Sequence, residues 1–268
     1  MEGSARYTIE GGRADADRLN CQANVMAGAT GRFLNGCGAR RGSSCLDVGC
    51  GDGQVTIALA RAVGPEGRVV GVDTDAEALE IAREAARRAG VTAEFVLADA
   101  ADLPERDAFD VVFARLLLSH LADPVAALRA MRDAARTGGI VAAEDLDTTT
   151  LHSEPPAQAL EGLRRVYSAT VRHYGGDPVL GPRLEALLGF VGLRDVIEQI
   201  AVNRMTDAAG KGFLAGLVVT MRETMLAASA ATAAELDELH AELERVAADD
   251  ATVIFQACMH QVAGRRPS

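Results

Sequence analysis

Apolar positions along the chain follow two periods. From about Ala14 to Leu34, the residues Leu19, Ala23, Met26, Thr30 and Phe33 recur at helical spacing, which predicts a helix. Before it, residues 1–12 read as an extended arm with Tyr7 as its only aromatic. Short apolar runs then alternate with amphipathic segments. SCLDVG reads as a strand, and VTIALARAV as a helix ending at Gly64–Pro65. RVVGVD is a second strand, and AEALEIAREAARRAG a helix closed by Gly90. AEFVLAD is a third strand and FDVVFAR a fourth. Asp123–Pro124 opens another helix with a cap and a proline at its first position. Gly138–Gly139 leads into a fifth strand, IVAAED.

Strands and helices that alternate in this way form right-handed βαβ units, so the expected fold is α/β, with a parallel sheet covered by helices on both faces. Ligands of such sheets sit at the carboxyl ends of the strands. That rule selects Asp47 to Gly53, Asp73, Asp99, Arg115 and Glu144–Asp145, which are distant in sequence but expected along one edge. After Asp145 the pattern changes. A polar loop with Pro155–Pro156, a helix over AQALEGLRRVYSATVRHY and a Gly-Gly-Asp-Pro break precede a short helix, PRLEALLGFVG. A sixth strand near LRDVIEQIAV follows, then helical stretches over 207–228 and 232–248, and TVIFQACMHQVA reads as the last strand. Long helical additions to α/β proteins usually serve binding, so these are expected to form a lid over the strand ends. The chain divides into an arm and cover helix over 1–38, a ligand-binding core over 39–147, and the rest of the core with its inserted lid over 148–268, all within one overall domain.

Composition narrows the classes of partner. Of 268 residues, 49% are hydrophobic and 24% charged, which suits a protein with a large buried core. With 38 acidic against 27 basic residues, the net charge of −11 repels a phosphate backbone, so no nucleic-acid partner is expected. No apolar run approaches the roughly 18 residues of a membrane span. The opening MEGSARYTIEGG lacks the basic-then-apolar order of a signal peptide. The expectation is a cytoplasmic protein without a membrane partner. Five cysteines, without a CxxC pair or paired histidines, suit core filling better than zinc or disulfides.

Candidate chemistry centres on CLDVGCGDGQ, residues 45 to 54, where glycine stands at every second position directly after a strand. A dinucleotide fingerprint GxGxxG needs a third small residue at Gln54 or Thr56, and both registers fail. A triphosphate loop needs GxxxxGK[ST], but the chain's single lysine is Lys211. S-adenosylmethionine needs a bare backbone beside its methionine moiety, acceptors for its amino group, and an acid for its ribose hydroxyls. Asp47, Gly49, Gly51 and Gly53 supply the first two, with Gln54 directly behind them. Asp73 ends the second strand and is placed for the ribose, although NAD would use an acid there too. Asp99 ends the third strand, where a carboxylate can accept from the adenine amino group.

The segments LDVGCGDGQVTIALA, VVGVDTD, FVLADAADLP, FDVVFARLLLSHLADP and GGIVAAEDLD, spanning about 44 to 147, together resemble the class I S-adenosylmethionine-dependent methyltransferases of the small-molecule, natural-product type. The resemblance implies a Rossmann-like sheet of seven strands, mostly parallel with the last strand reversed. It also implies S-adenosylmethionine as cofactor, S-adenosylhomocysteine as product, and a small-molecule substrate. The segment 5–35 resembles the N-terminal cover of such enzymes and is expected to close over bound cofactor. The stretch after residue 150 carries no recognised substrate signature.

Thr74 and Ala100 are expected to flank the adenine, and Arg115 to point toward the methionine carboxylate or the substrate. Asp75 reads as a helix cap and Asp102 as a surface residue. His120 and His152 are the candidate bases. Catechol-type relatives bind magnesium with carboxylates at the fourth and fifth strand ends. Arg115 stands where such a ligand is wanted, so no metal is expected. The [DN]PP[YF] tetrapeptide of enzymes that methylate bases or protein glutamine is absent from FARLLLSH. The expected activity is methyl transfer to a small, largely apolar metabolite, in the setting of secondary metabolism, by a chain that can form a homodimer. Two rivals stand beside it: a protein of the same fold and cofactor that catalyses cyclisation, and an NAD-dependent oxidoreductase, against which the broken fingerprint argues.

Overall fold

The computed structural model describes residues 16–268, with side chains from residue 25 onward. The arm over 1–12 with Tyr7, and the first positions of the expected cover helix, lie outside the described residues. Helix α1 (Ala16–Gly36) leads into β1 (Ser44–Val48), α2 (Gln54–Val63), β2 (Arg68–Asp73), α3 (Ala76–Ala89) and β3 (Glu94–Leu97). Next come β4 (Phe109–Arg115), α4 (Pro124–Ala134), β5 (Ala135–Asp147), β6 (His152–Glu154), α5 (Gln158–His173) and α6 (Leu184–Phe190). The chain continues through β7 (Arg194–Ala201), β8 (Arg204–Met205), α7 (Ala208–Thr220), α8 (Arg222–Ala227), α9 (Ala233–Ala248), β9 (Val253–Phe255) and β10 (Cys258–Arg265).

Seven strands form the main sheet in the order β3-β2-β1-β4-β5-β10-β7. Pairing is parallel from β3 through β5, and β10 runs antiparallel to both of its neighbours. The reversed last strand expected from the sequence is therefore present, next to the sheet edge rather than at it. Alternate residues of the central strands enter separate cores, as the two-residue period of a pleated strand requires. Leu46, Val70, Val112 and Val141 pack toward α4 and α6. Cys45, Val69, Val111 and Ala142 pack on the opposite side, with Phe33 and Leu34 of α1 and Leu59 of α2.

Several boundaries differ from the sequence reading. TVIFQACMHQVA is split, because the Gln256 amide and side chain both bond Asn203 and draw the chain out of the main sheet. The first piece becomes β9, the centre of a small antiparallel sheet of order β6-β9-β8, and only the second is the reversed strand. Neither β6 nor β8 was expected from patterning, since three and two residues carry too little periodicity. The helical stretch 207–228 breaks at Met221 into α7 and α8. Strand β5 starts before Gly138–Gly139 and extends beyond Asp145.

The lid has an apolar core of its own, built from Leu160 and Leu163 of α5, Leu214 and Val218 of α7, and Leu236 and Leu239 of α9. Lys211 fixes its geometry. Its side chain is only 1% exposed, and Nζ donates to the carbonyls of Asp249 at 2.6 Å and Thr252 at 3.2 Å. The ammonium thus sits on the carbonyl end of α9, where the helix dipole favours a cation, and ties α7 to the turn before β9. Lys211→Met keeps the stem but leaves both carbonyls without this donor. It is expected to lower stability by about 1–3 kcal/mol in urea denaturation, and an unchanged midpoint would contradict this role.

Candidate functional site

The first part of the site is backbone. After β1, Gly49, Gly51 and Gly53 all adopt positive φ, at 71°, 51° and 82°. A Cβ on Gly49 would lie 2.9 Å from the Leu117 side chain, and one on Gly53 would lie 2.9 Å from Ala82 Cβ. At Gly51 the same atom would meet only open space, beside a cavity that this residue lines. Conformation and crowding therefore demand glycine at the outer two positions, while the middle one leaves bare backbone facing the cavity. Gly71, opposite on β2, makes room for the turn, since a Cβ there would collide with Cys50 Sγ and Thr56 Oγ1.

Carboxylates hold this turn in place. Asp73 Oδ2 accepts from the Gly51 amide at 2.8 Å, and its Oδ1 accepts from Asp75 N at 3.0 Å. Each carboxylate oxygen has two lone pairs, so Asp73 keeps acceptor capacity for a ribose after bracing the turn. Asp47 is buried under the turn and accepts from Thr56 Oγ1 at 2.6 Å. Burial pushes its carboxyl up to about 6, while the Thr56 hydroxyl and the Arg115 charge oppose the rise. Asp75 caps α3 by accepting from the amides of Glu77 and Ala78, and it also lines the cavity.

The second part comes from the ends of β4 and β5. Arg115 lines the cavity, and among the described residues no carboxylate lies within ion-pair distance of it. The next residue, Leu116, adopts a φ of 54°, an unusual conformation for a leucine, with its amide donating to the Glu144 carbonyl. This bend directs Leu118–His120 into a short 3-10 turn, so that buried Ser119 and His120 line the cavity. The Tyr167 hydroxyl of α5 lies 3.3 Å from His120 Nε2, with the two rings edge to face. Asp145 accepts from the Ser119 amide at 2.9 Å and the Leu146 amide at 3.1 Å. Its burial raises the carboxyl to about 6. Glu144, also buried and raised by burial, accepts from Thr30 of α1 and Gln261 of β10 instead of facing the cavity.

The third part is the lid. Leu151, Leu163, Phe213, Leu214 and Leu217 face the strand ends and make the far wall apolar. The cavity therefore has a polar floor and an apolar roof. The structure brings Asp47, Gly49, Gly51, Gln54, Asp73, Arg115 and His120 to it. Gly53 supports it from behind, as the left-handed residue that starts α2. Thr74 and Asp99 are exposed, Ala100 is buried in the sheet core, and none of the three lines the cavity. Asp99 instead accepts from the Ala101 amide at 2.8 Å, which closes the turn after β3. His152 is also placed elsewhere. Pairing of β6 with β9 stacks its ring on Phe255 at 4.7 Å, and Nδ1 contacts the Thr150 carbonyl, outside the cavity lining. Sequence reasoning missed Arg164 and Tyr167. Their signal is the spacing of Leu163, Arg164 and Tyr167, which places them on one side of a helix. Among the described residues, no group of three or more His, Cys, Asp or Glu side chains is arranged to hold a metal ion.

Sheet order, reversed strand and glycine turn with its paired acid are those of the class I S-adenosylmethionine-dependent methyltransferase fold. The family described as "Methyltransferase domain" matches residues 39–177, and the chain belongs to it. Over 122 residues the chain is 37% identical to a demethylmenaquinone methyltransferase of Staphylococcus aureus (strain JH9), covering 45% of this chain and 50% of that protein. The chain spans about half the length of the curated relatives it matches. A putative methyltransferase from Bacillus halodurans C-125 shares the fold with a TM-score of 0.59 at 17% identity, over 88% of this chain and 98% of that one. The [4+2]-cyclase SpnF shares it with a TM-score of 0.55 at 20% identity, over 100% of this chain and 86% of that one.

Loss of Asp73 removes the carboxylate that braces the turn and lines the cavity beside it. Asp73→Ala is expected to weaken S-adenosylhomocysteine binding by roughly 1–3 kcal/mol, read by calorimetry; an unchanged dissociation constant would remove Asp73 from the site. Asp145 makes folding pH-dependent. Its carboxyl keeps a proton in the folded chain up to about 6, whereas the unfolded chain releases it near the ordinary 3.8. The folded state binds this proton more tightly across that window, so the contribution of Asp145 to stability is greatest below it and is lost as pH rises through it. Urea midpoints of Asp145→Asn measured across the same window should fall less steeply than those of the wild type, whereas parallel curves would show that Asp145 does not titrate there.

Proposed function

We propose that this chain transfers a methyl group from S-adenosylmethionine to a small, largely apolar metabolite held beneath the helical lid. The observation that carries this reading is the division of one cavity. Its floor is the bare glycine turn with Asp73 and Arg115, and its roof is Leu151, Leu163, Phe213 and Leu217. An apolar roof favours an apolar body by removing it from water. The Staphylococcus aureus relative, named for demethylmenaquinone, supports a small acceptor molecule. A tailoring step in secondary metabolism is the setting we infer from the resemblance in the sequence motifs.

When bound, the cofactor supplies a methyl group already activated on a sulfonium. The chain's own task is then alignment and the exclusion of water. Asp73 accepts hydrogen bonds from the ribose, the glycine turn gives close approach to backbone, and Arg115 offers a cation to a carboxylate. The lid side chains keep water from the acceptor. His120, oriented by the Tyr167 hydroxyl, is the side chain placed to take a proton from an acceptor that must lose one.

A second reading keeps the fold and the cofactor but uses the lid cavity for a non-methyl reaction such as cyclisation. It is favoured by the match of the whole chain, lid included, to the fold of SpnF. Turnover with methyl-labelled S-adenosylmethionine separates the two. Methyl transfer puts the label in the product, one S-adenosylhomocysteine per turnover, whereas the cyclase reading leaves the cofactor unchanged. In the methyl-transfer reading, His120→Ala is expected to lower kcat about 100-fold with an acceptor that loses a proton, leaving S-adenosylhomocysteine affinity unaltered. An unchanged kcat would limit His120 to packing.

A further inference from the structure

Two buried polar atoms in the lid half of the cavity have no hydrogen-bond partner among the described residues: Thr148 Oγ1 and Arg164 Nε. Both residues line the cavity, and Thr148 is only 8% exposed. They are neighbours in the fold, because Arg164 Nη1 donates to the carbonyl of Thr149 at 2.6 Å. That bond uses one arm of the guanidinium. The opposite edge, formed by Nε and Nη2, bonds no acceptor among the described residues. No described carboxylate lies within ion-pair distance of the guanidinium either. The acids that line the cavity all bond groups other than Arg164: Asp47 accepts from Thr56, Asp52 from Gln54, Asp73 from the amides of Gly51 and Asp75, Asp75 from those of Glu77 and Ala78, and Asp145 from those of Ser119 and Leu146. Buried donors are rarely left unpaired, and an open guanidinium edge matches the two oxygens of a carboxylate.

We propose that the acceptor substrate carries a carboxylate on an apolar body. The Nε–Nη2 edge of Arg164 takes its two oxygens, and the Thr148 hydroxyl donates a further hydrogen bond. The apolar body lies against Leu163 and Phe213, on the same cavity wall. This assignment rests on reading the cavity as a methyltransferase site. It divides the two cavity arginines by function, with Arg115 serving the polar floor and Arg164 the substrate.

The test uses the full chain and a matched pair of probes, 2-naphthoate and its uncharged analogue 2-naphthamide, titrated calorimetrically with and without saturating S-adenosylhomocysteine. Wild type is expected to bind the acid about 10-fold or more tightly than the amide, the ordinary effect of a charge-assisted pair. Arg164→Gln should abolish that preference, Arg164→Lys should retain only part of it, and Thr148→Val should reduce it severalfold. All three should bind S-adenosylhomocysteine as wild type does. Equal binding of acid and amide by wild type overturns the proposal, as does an unaltered preference in Arg164→Gln. Loss of S-adenosylhomocysteine binding in Arg164→Gln overturns it too, by assigning Arg164 to the cofactor. So does loss of the preference in Arg115→Gln with its retention in Arg164→Gln. Failure of wild type to bind S-adenosylhomocysteine counts against the methyltransferase reading alone, because the acid and amide are also compared without it. If Arg164→Gln does not fold, Arg164→Lys and Thr148→Val decide between the same outcomes.

Discussion

A backbone turn without side chains can stay open only if something outside it fixes its shape. Here the Asp73 carboxylate reaches across from the neighbouring strand and takes the amide of Gly51, while Gly49 and Cys50 donate to the carbonyl of Val72. The turn is thus fastened to the end of β2. Leu117 closes it on one side, Ala82 and Phe95 on the other, and Gly71 leaves the space in which it sits. Glycine alone gives freedom; these contacts turn that freedom into a single conformation.

The ends of β4 and β5 extend the same logic to the lid. Asp145 fixes the Leu118–His120 turn through the Ser119 amide, and that turn meets α5 through Tyr167. Glu144 gathers α1 and β10 around the sheet centre through Thr30 and Gln261. Buried carboxylates are expensive to ionise, and burial raises the carboxyls of Asp47, Glu144 and Asp145 above their ordinary range. The acids that organise the floor act mainly on the protein's own amides and hydroxyls.

Most of the main sheet was legible because its strands are long enough to show a period and are punctuated by Gly90, Asp123–Pro124 and the alternating glycines. The floor of the site was legible for a related reason, since residues at strand ends are gathered by topology whatever their distance in sequence. The roof was not. Arg164, Tyr167 and Phe213 come from helices whose apolar faces serve a core and a cavity at once, and periodicity does not tell these apart. His152 had the residue type of a base, but pairing of β6 with β9 decides where its ring points, and a three-residue strand leaves no trace in the pattern. Asp99 lies just beyond the end of β3 as its place in the sequence implies, but its exposed carboxylate turns to the Ala101 amide and away from the cavity lining.

The reversed strand β10 also determines the order in which the molecule can be completed during synthesis. Strand β7 leaves the ribosome well before β10, with the whole of α7, α8 and α9 between them, yet β10 is its hydrogen-bonded neighbour in the main sheet. Until β10 arrives, β5 presents an open edge and β7 has no place in the sheet, and open strand edges are where nascent chains associate wrongly. The glycine turn can form long before this, whereas Gln256 and Ala257, which line the cavity, reach it only with the final insertion. A nascent chain can therefore have a finished floor and an unfinished roof, and the same inserted strand that protects the sheet from aggregation closes the cavity.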